Sequence, residues 1–156
     1  MSLILGKEYC KIDANGRFKF PVALKRQLQT EDDGRFIIRQ SDYFECLELW
    51  TYASFYVEIE RIKKTLNIYL PEDRRLLSRL SEGNLIELDN NDRLLIPAEQ
   101  KSKLNKTKDI VLSAVGDFIE IWDYDKYQEF SKSDTDFVAL ASEKLGKMSE
   151  HQQQNG

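Results

Sequence analysis

Asp13 and Asp89 are the carboxylates of this chain whose surroundings most invite a chemical role, because each opens the same short pattern. Asp13-Ala14-Asn15-Gly16-Arg17 leads to Pro21, and Asp89-Asn90-Asn91-Asp92-Arg93 leads to Pro97. Paired carboxylates often serve general acid–base catalysis. Here each is followed by an arginine and set in a turn, and no Ser-His-Asp order, glycine-rich phosphate loop or metal-ligand spacing accompanies them. The one histidine, His151, lies in a polar C-terminal stretch where disorder is expected, so imidazole chemistry has no candidate. An enzyme is therefore not expected, and no catalytic residue, metal, cofactor or small-molecule substrate is assigned. Asp and Arg four apart across a loop also form plain surface ion pairs, worth only about 0–1 kcal/mol.

Charge separates the two motifs. The formal net charge of −4 argues on its face against a nucleic-acid partner, since phosphate binding relies on Lys and Arg. The positive charge is nevertheless concentrated. Residues 1–30 hold Lys7, Lys11, Arg17, Lys19, Lys25 and Arg26 against only Glu8 and Asp13. In residues 77–106 Arg79, Arg93, Lys101, Lys103 and Lys106 are balanced by Glu82, Glu87, Asp89, Asp92 and Glu99. Where copies assemble so that their first halves share a face, that face is basic on an acidic body. For Lys25 and Arg26 the competing account is that cations near the end of a short helix complement its dipole. No run approaches the roughly 20 apolar residues of a membrane span, and Met1-Ser2-Leu3-Ile4-Leu5 is too short for a secretory core. A cytoplasmic protein with no membrane partner is expected. Cys10 and Cys46, far apart in apolar stretches, are expected to be reduced core residues.

A duplicated frame must position the two motifs. Ile12, Asp13, Arg17, Pro21 and Leu28 recur as Leu88, Asp89, Arg93, Pro97 and Leu104, all displaced by 76 positions. Glu48-Leu49-Trp50-Thr51-Tyr52 recurs as Glu120-Ile121-Trp122-Asp123-Tyr124, displaced by 72. A repeat of this length is a folding unit that packs against its sibling about a pseudo-twofold axis. Residues 7–12 alternate charged with apolar side chains after Tyr9 and residues 17–20 alternate strictly, and Asn15-Gly16 between them is the signal of a hairpin with positive φ at both turn residues. Pro21 sets φ for a helix running to about Gln29. Strands over 35–39 and 46–50 follow, then a helix with Phe55, Ile59, Ile62 and Leu66 on one face. The unit runs ββαββα. Its expected limits are 1–70 and 84–132, joined by a helix within 71–83 that starts at Pro71 and ends at Gly83. A C-terminal helix over 133–148, with Phe137, Leu140, Ala141 and Leu145 on one stripe, is expected to pack on the core or on a neighbouring subunit, ahead of a disordered tail over 149–156.

The tandem D-x-x-x-R elements, each followed four residues later by proline, resemble the signature of the MraZ family over roughly residues 3–145, with Trp50 and Trp122 included. The resemblance implies an α+β fold with a mainly β core, a duplicated AbrB-like (SpoVT/AbrB) swapped-hairpin β-barrel with short helices. It implies a bacterial transcriptional regulator without catalysis, nucleoid-associated in the cytoplasm. Such a protein assembles as a ring and binds double-stranded DNA at repeated promoter elements of its own operon, which encodes division and cell-wall enzymes. Repression is the expected sense of control.

Carried onto this chain, the motif assigns DNA contact to the first loop and above all to Arg17. An arginine leaving a glycine turn projects a planar fork of donors that pairs bidentately with guanine O6 and N7 in the major groove. Lys11 and Lys19 flank it on the ribbon as phosphate contacts, Asn15 addresses a base edge or the backbone, and Gly16 is counted with them as a DNA-binding residue of the loop. Asp13 takes a structural role, accepting hydrogen bonds from turn amides or orienting Arg17, in preference to direct readout of cytosine. Asp89, Pro21 and Pro97 complete the structural motif. Asp92 stands where the family has glycine, and its charge beside Arg93 makes Arg93 the weaker DNA contact or a brace of the second hairpin. The alternatives are another AbrB-like regulator or antitoxin, which usually carries one motif per chain, and an oligomeric scaffold without DNA affinity.

Overall fold

The alternating segments build eight strands among the described residues, and their pairing exchanges the two copies. The computed structural model describes residues 3–105, 108–132 and 136–154, with side chains as far as residue 146. The strands are β1 (Lys7–Lys11), β2 (Arg17–Lys19), β3 (Arg35–Gln40), β4 (Leu47–Thr51), β5 (Asn84–Glu87), β6 (Arg93–Leu95), β7 (Asp109–Val115) and β8 (Phe118–Asp123). Helices α1 (Val22–Lys25), α2 (Tyr52–Thr65), α3 (Pro71–Leu80), α4 (Ala98–Lys101), α5 (Tyr124–Ser131) and α6 (Phe137–Gln154) lie between and after them. The chain divides into two compact units, Met1–Lys126 with every strand and Tyr127–Gly156.

The strands flanking Asn15-Gly16 do not form the simple hairpin that their alternation predicts. β1 leaves to pair antiparallel with β7 of the second copy, while β2 pairs with β6, so the two strands belong to different sheets. The second copy answers in kind, with β5 pairing with β3. The result is a six-stranded sheet in the order β1-β7-β8-β4-β3-β5 and a two-stranded ribbon β2-β6. Local propensity made the strands, and burial decided their partners, because a two-stranded hairpin alone leaves its apolar face in water.

The registers show the pseudo-twofold axis directly. β4 meets β8 with Glu48 opposite Glu120, and β2 meets β6 with Phe18 opposite Leu94, each pair being the same repeat position in the two copies. The axis therefore runs through both. Between sheet and ribbon lies one core. Phe18, Phe20, Leu94 and Ile96 from the ribbon strands and the residues following them join Ile38, Leu47, Leu49, Ile110, Leu112, Ile119 and Ile121 from the sheet. The Phe20 and Phe36 rings meet at 5.3 Å and 51°, the tilted arrangement aromatic quadrupoles favour.

A buried arginine fastens the connector helix to this body. The Arg39 side chain, 8% exposed, donates to Glu48 at 3.0 Å and to Asp42 at 2.9 Å. It also donates to the carbonyls of Glu82 at 3.2 Å and Arg79 at 3.4 Å, just beyond and within α3. Arg79 closes the network with its own bond to Asp42 at 3.1 Å.

Other elements depart from expectation at their ends. α1 is only four residues long, with Pro21 as its N-cap and Arg26 as its C-cap, not a helix to Gln29. Pro97 caps α4 in the same way. The acidic turn after α1 is a single 3₁₀ turn over Thr30–Asp32, and its buried Asp32 accepts the Ala53 amide at 2.9 Å, helping to cap α2. α6 continues to Gln154, so the stretch from 149 is helical where disorder was expected, and 155–156 lie outside the described residues. A polar run can extend a helix already nucleated by its apolar first turns. The side chain of His151 also lies outside the described ones. Both cysteines are free. Burial, with Glu8 nearby, pushes the Cys10 thiol up to about 11, and burial with Glu120 raises Cys46 further, which keeps both protonated. No helix of the described residues is long and apolar enough to cross a membrane.

Candidate nucleic-acid interface

Each D-x-x-x-R loop is a closed knot of hydrogen bonds around its aspartate. In the first, Gly16 N–H donates to the Asp13 carbonyl at 3.0 Å and Asp13 N–H to the Arg17 carbonyl at 2.9 Å. Asp13 Oδ1 accepts from the amides of Asn15 and Arg17, both at 2.9 Å. The second repeats this, with Asp89 Oδ1 accepting from Asn91 at 2.8 Å and Arg93 at 2.9 Å. The fourth loop residue takes positive φ, 91° at Gly16 and 59° at Asp92, and Asn15 does not, so only one of the two expected left-handed residues is present. That is the three-residue loop with a left-handed closing residue, rather than the two-residue turn that Asn-Gly announces.

The same bonds set the protonation of the acids. The Arg17 amide above all holds the Asp13 carboxyl below the ordinary aspartate value, against the opposing effect of burial and with help from the Asn15 amide and both guanidinium groups, Arg17 and Arg93. Asp89 is held down likewise, first by the Arg93 amide. Two carboxylates kept ionised make poor proton donors. Among the described residues no cluster suits a metal ion.

The loops deliver their arginines to one surface. Because Arg17 and Lys19 flank the buried Phe18 while Arg93 and Leu95 flank the buried Leu94, all four side chains project from the outer face of the ribbon. Lys19 lies opposite Arg93 and Arg17 opposite Leu95. The bonds Ile96 N–H to Gly16 O and Phe20 N–H to Asp92 O, both 2.8 Å, mark the neighbouring rungs as the bonded ones. The Lys19/Arg93 and Arg17/Leu95 rungs are then the non-bonded kind, in which side chains stand closest. Like charges directly opposite cost stability. Lys19, Arg93 and Arg17 nonetheless form no ion pair among the described residues.

Comparison with known proteins supplies the family. Residues 80–147 match the model of a family described as "MraZ protein, putative antitoxin-like". A protein of Flavobacterium psychrophilum named "Transcriptional regulator MraZ" is 36% identical over 152 residues, 96% of this chain and 96% of that protein. This chain belongs to the MraZ family. A relative of the same name in Christiangramia forsetii is 36% identical over 92% of this chain and 93% of its own length, and one in Mycoplasmoides gallisepticum is 31% identical over 86% and 91%. The family is one of transcriptional regulators and not of enzymes.

Two contacts of this MraZ chain escape a reading of its sequence. Lys25, taken there as a cation at a helix end, pairs with Asp92 of the other copy at 2.8 Å. Its repeat equivalent Lys101 donates to the Ala14 carbonyl of the first loop. Each motif is thus braced by the lysine of its sibling, a link that separations of 67 and 87 residues conceal. The Asp92 carboxylate thus has a cation of the other copy beside it as well as Arg93 next to it in sequence. Lys11, in contrast, is not on the ribbon with Arg17. It ends β1 in the larger sheet, exposed and in register with Asp109. Asn15 is exposed at the loop tip.

Gly16 is the loop position with no freedom. A Cβ there would lie 2.8 Å from the Ile96 carbonyl oxygen and would sit on a φ of +91°. Gly16→Ala is expected to cost about 1–3 kcal/mol of unfolding free energy through backbone strain alone. Asp92→Gly at the equivalent position is expected to stay within about 1 kcal/mol, losing only a surface ion pair. Urea unfolding of the two variants checks the contrast, and equal losses would refute it.

Proposed function

We propose that this protein binds double-stranded DNA sequence-specifically at repeated elements of its own promoter, as a ring of copies, and represses its own transcription. The carrying observation is the outer face of the β2-β6 ribbon, where Arg17, Lys19 and Arg93 stand together without ion-pair partners among the described residues. A ribbon of two strands fits the major groove, and a guanidinium fork pairs with guanine there. Arg17 and Arg93 supply base contacts, Lys19 addresses phosphate, Lys11 and Asn15 contact the backbone from beside the ribbon, and Gly16 lets the loop close. The loop aspartates, held ionised by their amides, position the arginines rather than touch DNA.

One such face makes few phosphate contacts. Copies engaging elements about one helical turn apart raise the effective concentration of each other's sites. Exposed apolar side chains support such self-association, among them Tyr56, Val57 and Leu76 in the first unit and Phe137, Val138 and Leu145 on α6. The place of action is then the nucleoid, in the cytoplasm.

Fluorescence anisotropy with labelled DNA from upstream of the gene, titrated across a salt series, tests this reading. Specific affinity is expected to fall with log salt at a slope of about 0.9 per phosphate contact. A scaffold without DNA affinity would give no specific shift at moderate salt. In a transcription assay, polymerase initiating unhindered on the occupied promoter would contradict repression.

A further inference from the structure

On a ribbon face otherwise cationic, one position is apolar. Leu95, 43% exposed, is the repeat equivalent of Lys19 and faces Arg17 across a close rung. Its Cδ1 reaches to 3.6 Å from where a Cβ on Gly16 would stand, so the isobutyl group lies along the first loop beside the base of Arg17. The core gains nothing from it there, because Leu94 fills the buried side of the same strand. Of the groups in the major groove, the one that meets an apolar side chain is the C5-methyl of thymine.

We propose that Leu95 reads a thymine methyl next to the base pair contacted by Arg17, and is a specificity-determining residue of this ribbon. The inference rests on the DNA-reading function proposed above. It gives the two halves of the face different tasks, since the first copy sets an ammonium for phosphate where the second sets a methyl reader.

The test replaces each thymine of the bound upstream duplex, one at a time, by 2′-deoxyuridine, which lacks only that methyl. For the wild-type protein one replacement per element is expected to weaken binding about three- to tenfold, the scale of one buried methyl group. Leu95→Ala and Leu95→Lys, which restores the chemistry of Lys19, are expected to bind the thymine and uracil duplexes alike. Lys19→Ala keeps the discrimination. Matching thermal midpoints show that the variants are folded. Survival of the thymine preference in both Leu95 variants, or the absence of any uracil-sensitive thymine in the wild type, overturns the inference while leaving specific DNA binding in place. A wild type with no specific affinity for the duplex removes the DNA-reading function and this inference together.

Discussion

The double variant Arg17→Ala/Arg93→Ala is expected to lose nearly all sequence-specific affinity while keeping the fold. Each bidentate arginine–guanine pair discriminates by about 1–3 kcal/mol, so removing both costs about 2–6 kcal/mol, a rise in Kd of roughly thirtyfold or more. Neither side chain is buried or forms an ion pair among the described residues, so thermal stability should hold or rise slightly as like charges leave the ribbon. Anisotropy with specific and scrambled duplexes measures the effect. The single variants are decisive about geometry. Both arginines stand on one face, and Asp92 is engaged by Lys25, so Arg93→Ala should cost about as much as Arg17→Ala. A silent Arg93→Ala would return the second motif to a bracing role. Lys19→Ala should act differently, lowering the salt slope by about 1 and weakening all sequences alike.

Arg39→Met is expected to destabilise the protein by about 3–5 kcal/mol, the scale of breaking a buried ion pair by removing one partner. The loss has three parts. Glu48 is left without its guanidinium inside the sheet, Asp42 keeps only Arg79, and the carbonyls at the end of α3 lose a donor. Arg61→Met removes an ion pair at 2.6 Å to Glu58, but on an exposed, solvent-screened helix face, and should cost far less. Urea unfolding compares the two, and equal losses would show that Arg39 fastens nothing. The network also carries a pH signature. Burial pushes the Asp42 carboxyl up, yet hydrogen bonds from Arg39 and Arg79 outweigh it and hold it below the ordinary value. A group depressed in the folded state adds stability above its unfolded pKa and loses it as pH falls through the folded one. Arg39→Met should therefore flatten the acid side of the stability profile.

The duplication, the strand positions and the exposed arginines were legible because they rest on local signals: period-two alternation, Asn-Gly, proline at helix starts and a motif spaced identically in both copies. Partner choice was not. Alternation around Asn15-Gly16 looks the same whether β1 folds back on β2 or crosses to β7, and only the burial available to the whole chain decides between them. For the same reason Lys11 was placed on the ribbon when its strand belongs to the larger sheet. The Lys25 that pairs with Asp92 comes from the opposite repeat and has no signal near Asp92 in sequence. Nothing near Arg39 in sequence announces the α3 carbonyls it reaches. α1 stops short of the Gln29 that a helix started by Pro21 suggests. The chain instead leaves the helix at Arg26, and Leu28 reaches the core from outside it.

The equivalence of Phe18 and Leu94 at the centre of the ribbon has a consequence for whatever lies against it. Two separate chains carrying one repeat each would present identical halves there and match an inverted, palindromic sequence. Carried on a single chain the halves need not match, and they differ: one offers arginine and lysine, the other arginine and leucine. A surface of that kind has a head and a tail. Under the DNA-reading function proposed above, turning the face end for end on a duplex sets leucine where lysine stood, so the element that fits it would have polarity, and copies on a run of such elements would all point the same way along the double helix.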